Sequence, residues 1–181
     1  MKETTRVSTI VRGLLDFARE SKPQKRLCNV NELILHTFSL VQHQSAFHDI
    51  RIQKNLDAGV PMVLLDSNQI QQVFMNILLN AADAMPSGGT LTVTTQLSPG
   101  DSFLQIRFAD TGCGIPEQDL NRIFDPFFTT KSEKKGTGLG LAVSYGIVDR
   151  HNGKIEVHSE EGKGTTFTIR LPVNGSGEPS I

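Results

Sequence analysis

A chain of 181 residues with 38% hydrophobic residues is about one domain, large enough to bury roughly 70% of the surface its unfolded form exposes. The net charge of −1, with no face loaded with Lys and Arg, argues against a dedicated nucleic-acid binder. No apolar run approaches the ~18 residues of a membrane span, no signal-peptide pattern opens the chain, and Cys28 and Cys113 stand in no metal-type spacing, so a soluble, cytoplasmic piece is expected.

Val7, Ile10, Leu14 and Phe17 fall at alternating steps of three and four, which predicts an amphipathic helix over 5–20 with a coiled-coil-like seam. Pro23 marks its end. A helix of about 16 residues is marginal alone in water and wants a partner, either its own domain or a separate bundle. The polar break SKPQKR directly after it favours the bundle. A second helix is predicted over 31–47, capped by Asn29 or Asn31. IRIQKNL and PMVLLD read as short strands, and Ser67 is the predicted cap of a long helix over 68–85 that PSGG stops. TLTVTTQL and SFLQIRFAD are alternating strands joined by SPGD. A long irregular segment between Gly112 and Gly140 is too long for a mere connector. A helix over about 137–151 and the hairpin GKIEVHSEEGKGTTFTIRLP follow, and residues 174–181 are expected to be a disordered tail. Strands mixed with long helices predict an α+β fold, a two-layer α/β sandwich with one mixed sheet and its helices on one face.

Four constellations carry the chemistry. On the long helix, Ile70, Val73, Phe74, Ile77, Leu78, Ala81 and Met85 form the apolar stripe, and Gln72, Asn76 and Asn80 make a carboxamide row at its margin. Asn costs about 0.6 kcal/mol inside a helix. A carboxamide oxygen suits Mg²⁺ held mainly by phosphates, while hydrogen bonds to solvent or a neighbouring loop are the other use. In the strand before DTGCGIP, Leu104, Ile106, Phe108 and Asp110 share a face. A carboxylate there needs strong donors, and the exocyclic amino group of a base is one, with Gly112 and Gly114 admitting a flat ring; a plain strand-ending turn is the alternative.

The third constellation, FDPFFTTKSEKKGTGLGLA, sets Lys131, Lys134 and Lys135 before Gly136, Gly138, Gly140 and a helix start. Helix N-terminal N–H groups favour phosphate; a solvated charged loop is the other reading. The pattern is neither a Walker loop nor G-x-G-x-x-G after a strand. The fourth is Thr165, on the face of Phe167, Ile169 and Leu171, where its hydroxyl falls beside Asp110.

In this order the segments resemble the ATP-binding catalytic domain of two-component sensor histidine kinases, within the GHKL superfamily. NQIQQVFMNILLNAADAM resembles the N box, DTGCGIP the first glycine box, FDPFF the F box and GTGLGLA the second glycine box, over about residues 29–172. LLDFARESKP resembles the tail of the dimerisation and phosphoacceptor domain, so 1–22 would be the end of its helix and 23–173 the catalytic domain. ADAM and SYGIV are most similar to the nitrogen-regulation subclass. The resemblance implies a Bergerat-type ATP-binding fold. It makes Asn80 the Mg²⁺ ligand, Asn76 and Lys131 the catalytic residues at the phosphates, and Asp110 the reader of the adenine amino group. Gly112, Gly114, Ile115 and Thr165 would line the base, and Thr130, Gly136, Thr137, Gly138, Leu139, Gly140 and Leu141 would complete the ATP site, with residues 117–135 as its lid.

Two departures matter. Asp83 stands where many sensor kinases carry a base that helps hold phosphate, so the phosphate charge falls more on Lys131, Mg²⁺ and the helix terminus. No acceptor histidine is found either. HDIRIQ at His48 imitates the acceptor pattern but follows the acceptor-domain tail and alternates like a strand, and His36, His43, His151 and His158 read as surface or packing residues. The expectation is a catalytic fragment that transfers the γ-phosphate of Mg·ATP to a histidine on an upstream domain. Its partners would be that domain and a response regulator, with a homodimeric whole protein. A GHKL ATP hydrolase is the enzymatic alternative, disfavoured because hydrolases of that superfamily carry a Glu where Asn76 stands. A non-catalytic nucleotide-sensing module is the third.

Overall fold

The computed structural model describes residues 23–98, 100, 102–130 and 136–173. The helix expected over 5–20, Lys131, and the tail 174–181 lie outside the described residues. In chain order come β1 (Arg26–Cys28), α1 (Val30–Val41), a 3₁₀ turn (Ser45–Phe47), β2 (Ile50–Leu56), β3 (Val63–Leu65), α2 (Ser67–Ala84), β4 (Gly89–Leu97), β5 (Phe103–Asp110), α3 (Glu117–Leu120), α4 (Gly140–Arg150), β6 (Lys154–Glu160) and β7 (Gly164–Pro172).

Five strands form one sheet in the order β2-β4-β5-β7-β6, with β2 parallel to β4 and the other neighbours antiparallel. The sheet is therefore mixed, as expected. Period-two alternation puts Leu91 and Val93, Leu104, Ile106 and Phe108, and Phe167, Ile169 and Leu171 on one buried face. Against it lies the helical stripe Ile70, Val73, Phe74, Ile77 and Leu78, with the Phe74 ring tilted on Phe108 at 5.4 Å. Burying each such side chain contributes about 1.5–3 kcal/mol. The opposite face carries polar cross-strand pairs, Gln96 to Gln105 at 2.7 Å and Arg170 to Glu156 at 2.9 Å. The helices cover one face of an α+β sandwich.

Several element ends differ from expectation, each for a local reason. The helix predicted to reach residue 47 stops at Val41, because the next inward positions would be Gln44 and Ser45, two polar residues. The 3₁₀ turn then returns Phe47 to the core. Asn29 is the cap of α1: its Oδ1 accepts from the N–H of Asn31 at 3.0 Å and of Glu32 at 3.4 Å. Asn31 instead donates to the Asp57 carbonyl and accepts from Thr95 Oγ1. Asp66, not Ser67, caps α2, since its carboxylate reaches the N–H of Asn68 and Gln69 at 3.1 and 3.2 Å. Helix α4 begins at Gly140, three residues later than predicted from 137. The segment read as wholly irregular holds the short α3. Strand β1 was not foreseen, because Arg26–Cys28 lacks the apolar run that marks the equally short β3; it pairs with β3 through Leu27 and Leu64.

His151 ties the end of α4 to the start of α2. It is 2% exposed, and its Nδ1 lies 2.8 Å from the Ile147 carbonyl while its Nε2 accepts the Asp66 N–H at 3.0 Å. A carbonyl only accepts and an amide only donates, so the ring is the neutral tautomer with its proton on Nδ1. Burial holds its pKa below the ordinary histidine range; Lys25 and Arg150 push the same way, against the pull of the Ile147 carbonyl and Asp66. The unfolded chain then binds the proton more readily than the folded one. The contribution is full above the ordinary value of about 6.5 and is lost as pH falls through the folded value. Urea unfolding at pH 7.5 and 5.5 should show the His151 contribution as a loss of stability below about pH 6.5 that is smaller in His151→Gln.

Candidate functional site

The alternation of β5 ends on a carboxylate turned toward the core. Asp110 is 8% exposed, and its Oδ1 accepts from the N–H of Gly112 at 2.9 Å and of Thr165 at 3.2 Å. Burial pushes its pKa up, and the two backbone N–H groups offset only part of that. Among the described residues Oδ2 takes no hydrogen bond, so one oxygen of a buried acceptor is left to a donor from outside. Thr165 faces Asp110 across the β5–β7 ladder and is itself buried.

The turn after Asp110 is fixed by contacts within the chain. The Cys113 N–H donates to the Ala84 carbonyl at 3.0 Å, and a Cβ on Gly112 would stand 2.6 Å from that same oxygen. Gly114 has φ 72°, and a Cβ there would run into the Glu160 carbonyl. The Cβ sides of both glycines are thus occupied by protein, a packing role that spacing alone does not show. The half-buried Ile115 donates its N–H to Ser159 Oγ at 2.8 Å. Ser159 carried no signal in the sequence, being one hydroxyl in a strand of alternating polar residues.

Of the carboxamide row on α2, Asn76 joins the helix to α4. Its Nδ2 donates to the Gly140 carbonyl at 2.9 Å and to Ser144 Oγ at 3.1 Å, and the buried Ser144 hydroxyl donates to the same carbonyl at 2.8 Å. Asn76 therefore holds a neighbouring segment, the second of the two uses open from the sequence. Asn80 lies half-buried one turn before Ala84, at the end of α2 that meets the Asp110 turn.

The stretch from 136 to 141 leads into α4. Gly136 and Thr137 are partly exposed, Leu139 is buried and Leu141 half-buried. Thr137 Oγ1 accepts from the Leu139 N–H at 3.5 Å. Gly138 has φ 67°, and a Cβ there would strike the backbone of Phe127, whose N–H donates to the Gly138 carbonyl at 3.0 Å. Leu139 occupies the cap position of α4 and offers no side-chain acceptor, so the cap supplies none for the first N–H groups of the helix. Phe124 packs on Tyr145 at 5.5 Å, and the Arg122 guanidinium sits 4.6 Å from the Phe128 ring. Thr130 is exposed. Among the described residues no group of three His, Cys, Asp or Glu could hold a metal, and no helix is long and apolar enough to cross a membrane.

The family model described as histidine kinase-, DNA gyrase B-, and HSP90-like ATPase matches residues 65–175. The chain is 39% identical over 176 residues to sporulation kinase E of Bacillus subtilis (strain 168), covering 97% of this chain and 23% of that protein. It is 38% identical over 173 residues to sensor histidine kinase ZraS of Escherichia coli (strain K12), covering 96% of this chain and 36% of that protein. The chain thus spans well under half the length of these curated relatives. The nucleotide-free catalytic domain of histidine kinase ThkA is similar at a TM-score of 0.73 and 31% identity, covering 83% of this chain and 96% of that one. ThkA in complex with the response regulator TrrA is similar at a TM-score of 0.80 and 28% identity, covering 97% of this chain and 50% of that one.

The Asn76 contact sets an order of stabilities. Asn76→Asp replaces a donor with an oxygen facing the Gly140 carbonyl, so at pH 7 it should cost about 1–3 kcal/mol. Asn76→Ala should cost less, because Ser144 still donates to that carbonyl. Chemical denaturation of both variants checks the order.

Proposed function

The chain belongs to the family of histidine kinase-, DNA gyrase B-, and HSP90-like ATPases, and from that premise we propose that it is the catalytic domain of a sensor histidine kinase, binding Mg·ATP and presenting the γ-phosphate to a histidine on a separate acceptor domain. The observation that carries this reading is Asp110: a buried carboxylate at the end of an apolar face, its Oδ1 doubly hydrogen-bonded and its Oδ2 open to a donor. Such a group fits the exocyclic amino group of adenine, because an ionised carboxylate only accepts. Thr165 stands beside it, and Gly112, Gly114 and Ile115 border the same turn.

On the phosphate side, the N–H groups of the segment Gly136, Thr137, Gly138, Leu139, Gly140 and Leu141 and the dipole of α4 favour anionic charge. Thr130 and Lys131 come from the segment before it. Asn76 acts at the phosphates through its hold on Gly140, which keeps the start of α4 in register with α2. The donor set fits Mg²⁺ as an ion carried in by the phosphates: Asn80 offers an amide oxygen, and the described residues hold no cluster of acids that would make a protein-only cage. Mg²⁺, when bound, would neutralise the charge of the transferring group, so the protein's part is positioning.

Asn76 also bears on the hydrolase alternative. An amide cannot take a proton from water at neutral pH, and its nitrogen is already engaged by Gly140 and Ser144. A response regulator as the next partner is supported by the similarity to ThkA, which is seen in complex with TrrA.

Asp110→Asn separates binding from folding. Burial raises the folded pKa, so the ionised carboxylate costs stability above that value, and the neutral amide keeps the Oδ1 acceptor without this cost. Calorimetry should show ADP affinity reduced by about 1–3 kcal/mol, and denaturation at pH 7 should show stability no lower than wild type. Unchanged affinity would remove the adenine assignment.

Catalysis is tested with radiolabelled ATP. The chain alone should neither label itself nor release phosphate steadily, since placing the nucleophile accounts for ~7–11 kcal/mol of such a barrier. A separately made acceptor domain should become labelled on histidine, weakly for want of a covalent link. Acid-labile label on the isolated chain that disappears in His48→Gln would restore His48 as the acceptor. Rapid steady phosphate release would favour the hydrolase.

A further inference from the structure

Three register partners form a row across the last strands of the buried face. Asp110 on β5 pairs with Thr165 on β7, which pairs with Ser159 on β6. Side chains directly opposite one another stand on the same face, so a carboxylate and two hydroxyls end a surface otherwise made of Phe, Ile, Leu and Val.

Ser159 has one hydroxyl proton and three partners. Its Oγ lies 2.8 Å from the Ile115 N, 3.0 Å from the Gly164 carbonyl oxygen and 3.0 Å from Thr165 Oγ1. The backbone groups cannot exchange roles: an N–H only donates and a carbonyl only accepts. Ser159 therefore gives its proton to Gly164 and receives one from Ile115. The proton in the contact with Thr165 must then come from Thr165, since two oxygens at that distance need one between them. A Thr165 hydroxyl committed to Ser159 turns only lone pairs in other directions. Asp110 beside it accepts as well, so this end of the row is made of acceptors.

We propose that Ser159 is a positioning residue that holds the Thr165 hydroxyl as an acceptor, so that the site takes a purine with a 6-amino group and discriminates against a 6-oxo purine. This rests on the nucleotide-binding reading above. An amino group offers two N–H donors to Asp110 and Thr165, whereas a 6-oxo group sets an oxygen against two acceptors. With Ser159 removed, the Thr165 hydroxyl is free to donate to that oxygen, and the discrimination narrows.

The test is calorimetry of Mg·ADP and Mg·IDP on the whole 181-residue chain, with the ratio of the two affinities as the readout. Ser159→Ala should narrow the wild-type preference for ADP about tenfold, and Ser159→Thr, which keeps a hydroxyl, should retain it. Thr165→Val leaves Ile115 and Gly164 untouched and should narrow the ratio by a similar factor. In that background Ser159→Ala should change the ratio no further, as expected of a residue acting through its neighbour. A merely structural role would weaken both nucleotides equally and leave the ratio alone; that result, or an undiminished ratio in Thr165→Val, overturns the inference while leaving ADP binding in place. A wild-type chain that binds neither nucleotide overturns the kinase reading and this inference together.

Discussion

A carboxylate buried at the edge of an apolar sheet face is the constraint around which the site is arranged. Desolvation disfavours the charge of Asp110, and the fold offsets this with donors from two directions, the turn at Gly112 and the neighbouring strand at Thr165. Both come from backbone, so the acceptor is held by the parts of the molecule least free to move. To keep the Gly112 N–H aimed at the carboxylate, the turn is in turn stapled to the end of α2 through Cys113 and Ala84. On its far side Gly114 closes against the Glu160 carbonyl. A substitution that shifts any of these contacts reaches Asp110 through one or two backbone bonds.

Helix α2 does a second job on the same principle. Its apolar stripe faces the sheet, and the margin of that stripe carries amides able to speak to both a neighbouring helix and an anion. Asn76 is engaged on the protein side, where it anchors Gly140. The end of α2 fixes the Asp110 turn and its middle fixes the start of α4, so one rigid element spaces the two ends of the proposed nucleotide site. His151 closes the same pair of helices at the opposite end, reaching from the last turn of α4 to the Asp66 N–H.

Much of this was legible from residue order. The stripe from Ile70 to Ala81, the alternation from Leu104 to Asp110 and the matching face from Thr165 to Leu171 are periodic over enough positions to name the layer and the buried side. Two short elements were not. The strand Arg26–Cys28 and the helix Glu117–Leu120 each hold fewer than two full periods of their pattern, too few to show a repeat. Capping was legible in kind but not in position, because Asp66 and Ser67 are both good caps and the choice depends on where the chain enters the helix.

The sequence by itself determined which residues face inward and that acceptors, glycines and amides fall at the edges of those faces. Periodicity of side-chain chemistry is a local property, and it survives without any knowledge of neighbours. Only the tertiary structure decided what each of those groups touches. The glycines at 112 and 114 looked like clearance for a flat ring; their Cβ sides press on Ala84 and Glu160, as that of Gly138 presses on Phe127. Ser159 looked like nothing at all, and it is bonded to three partners. Contacts between residues 44 or 64 positions apart, as between Ile115 and Ser159 or Asn76 and Gly140, depend on how strands and helices are stacked, and that stacking leaves no spacing in the chain to read.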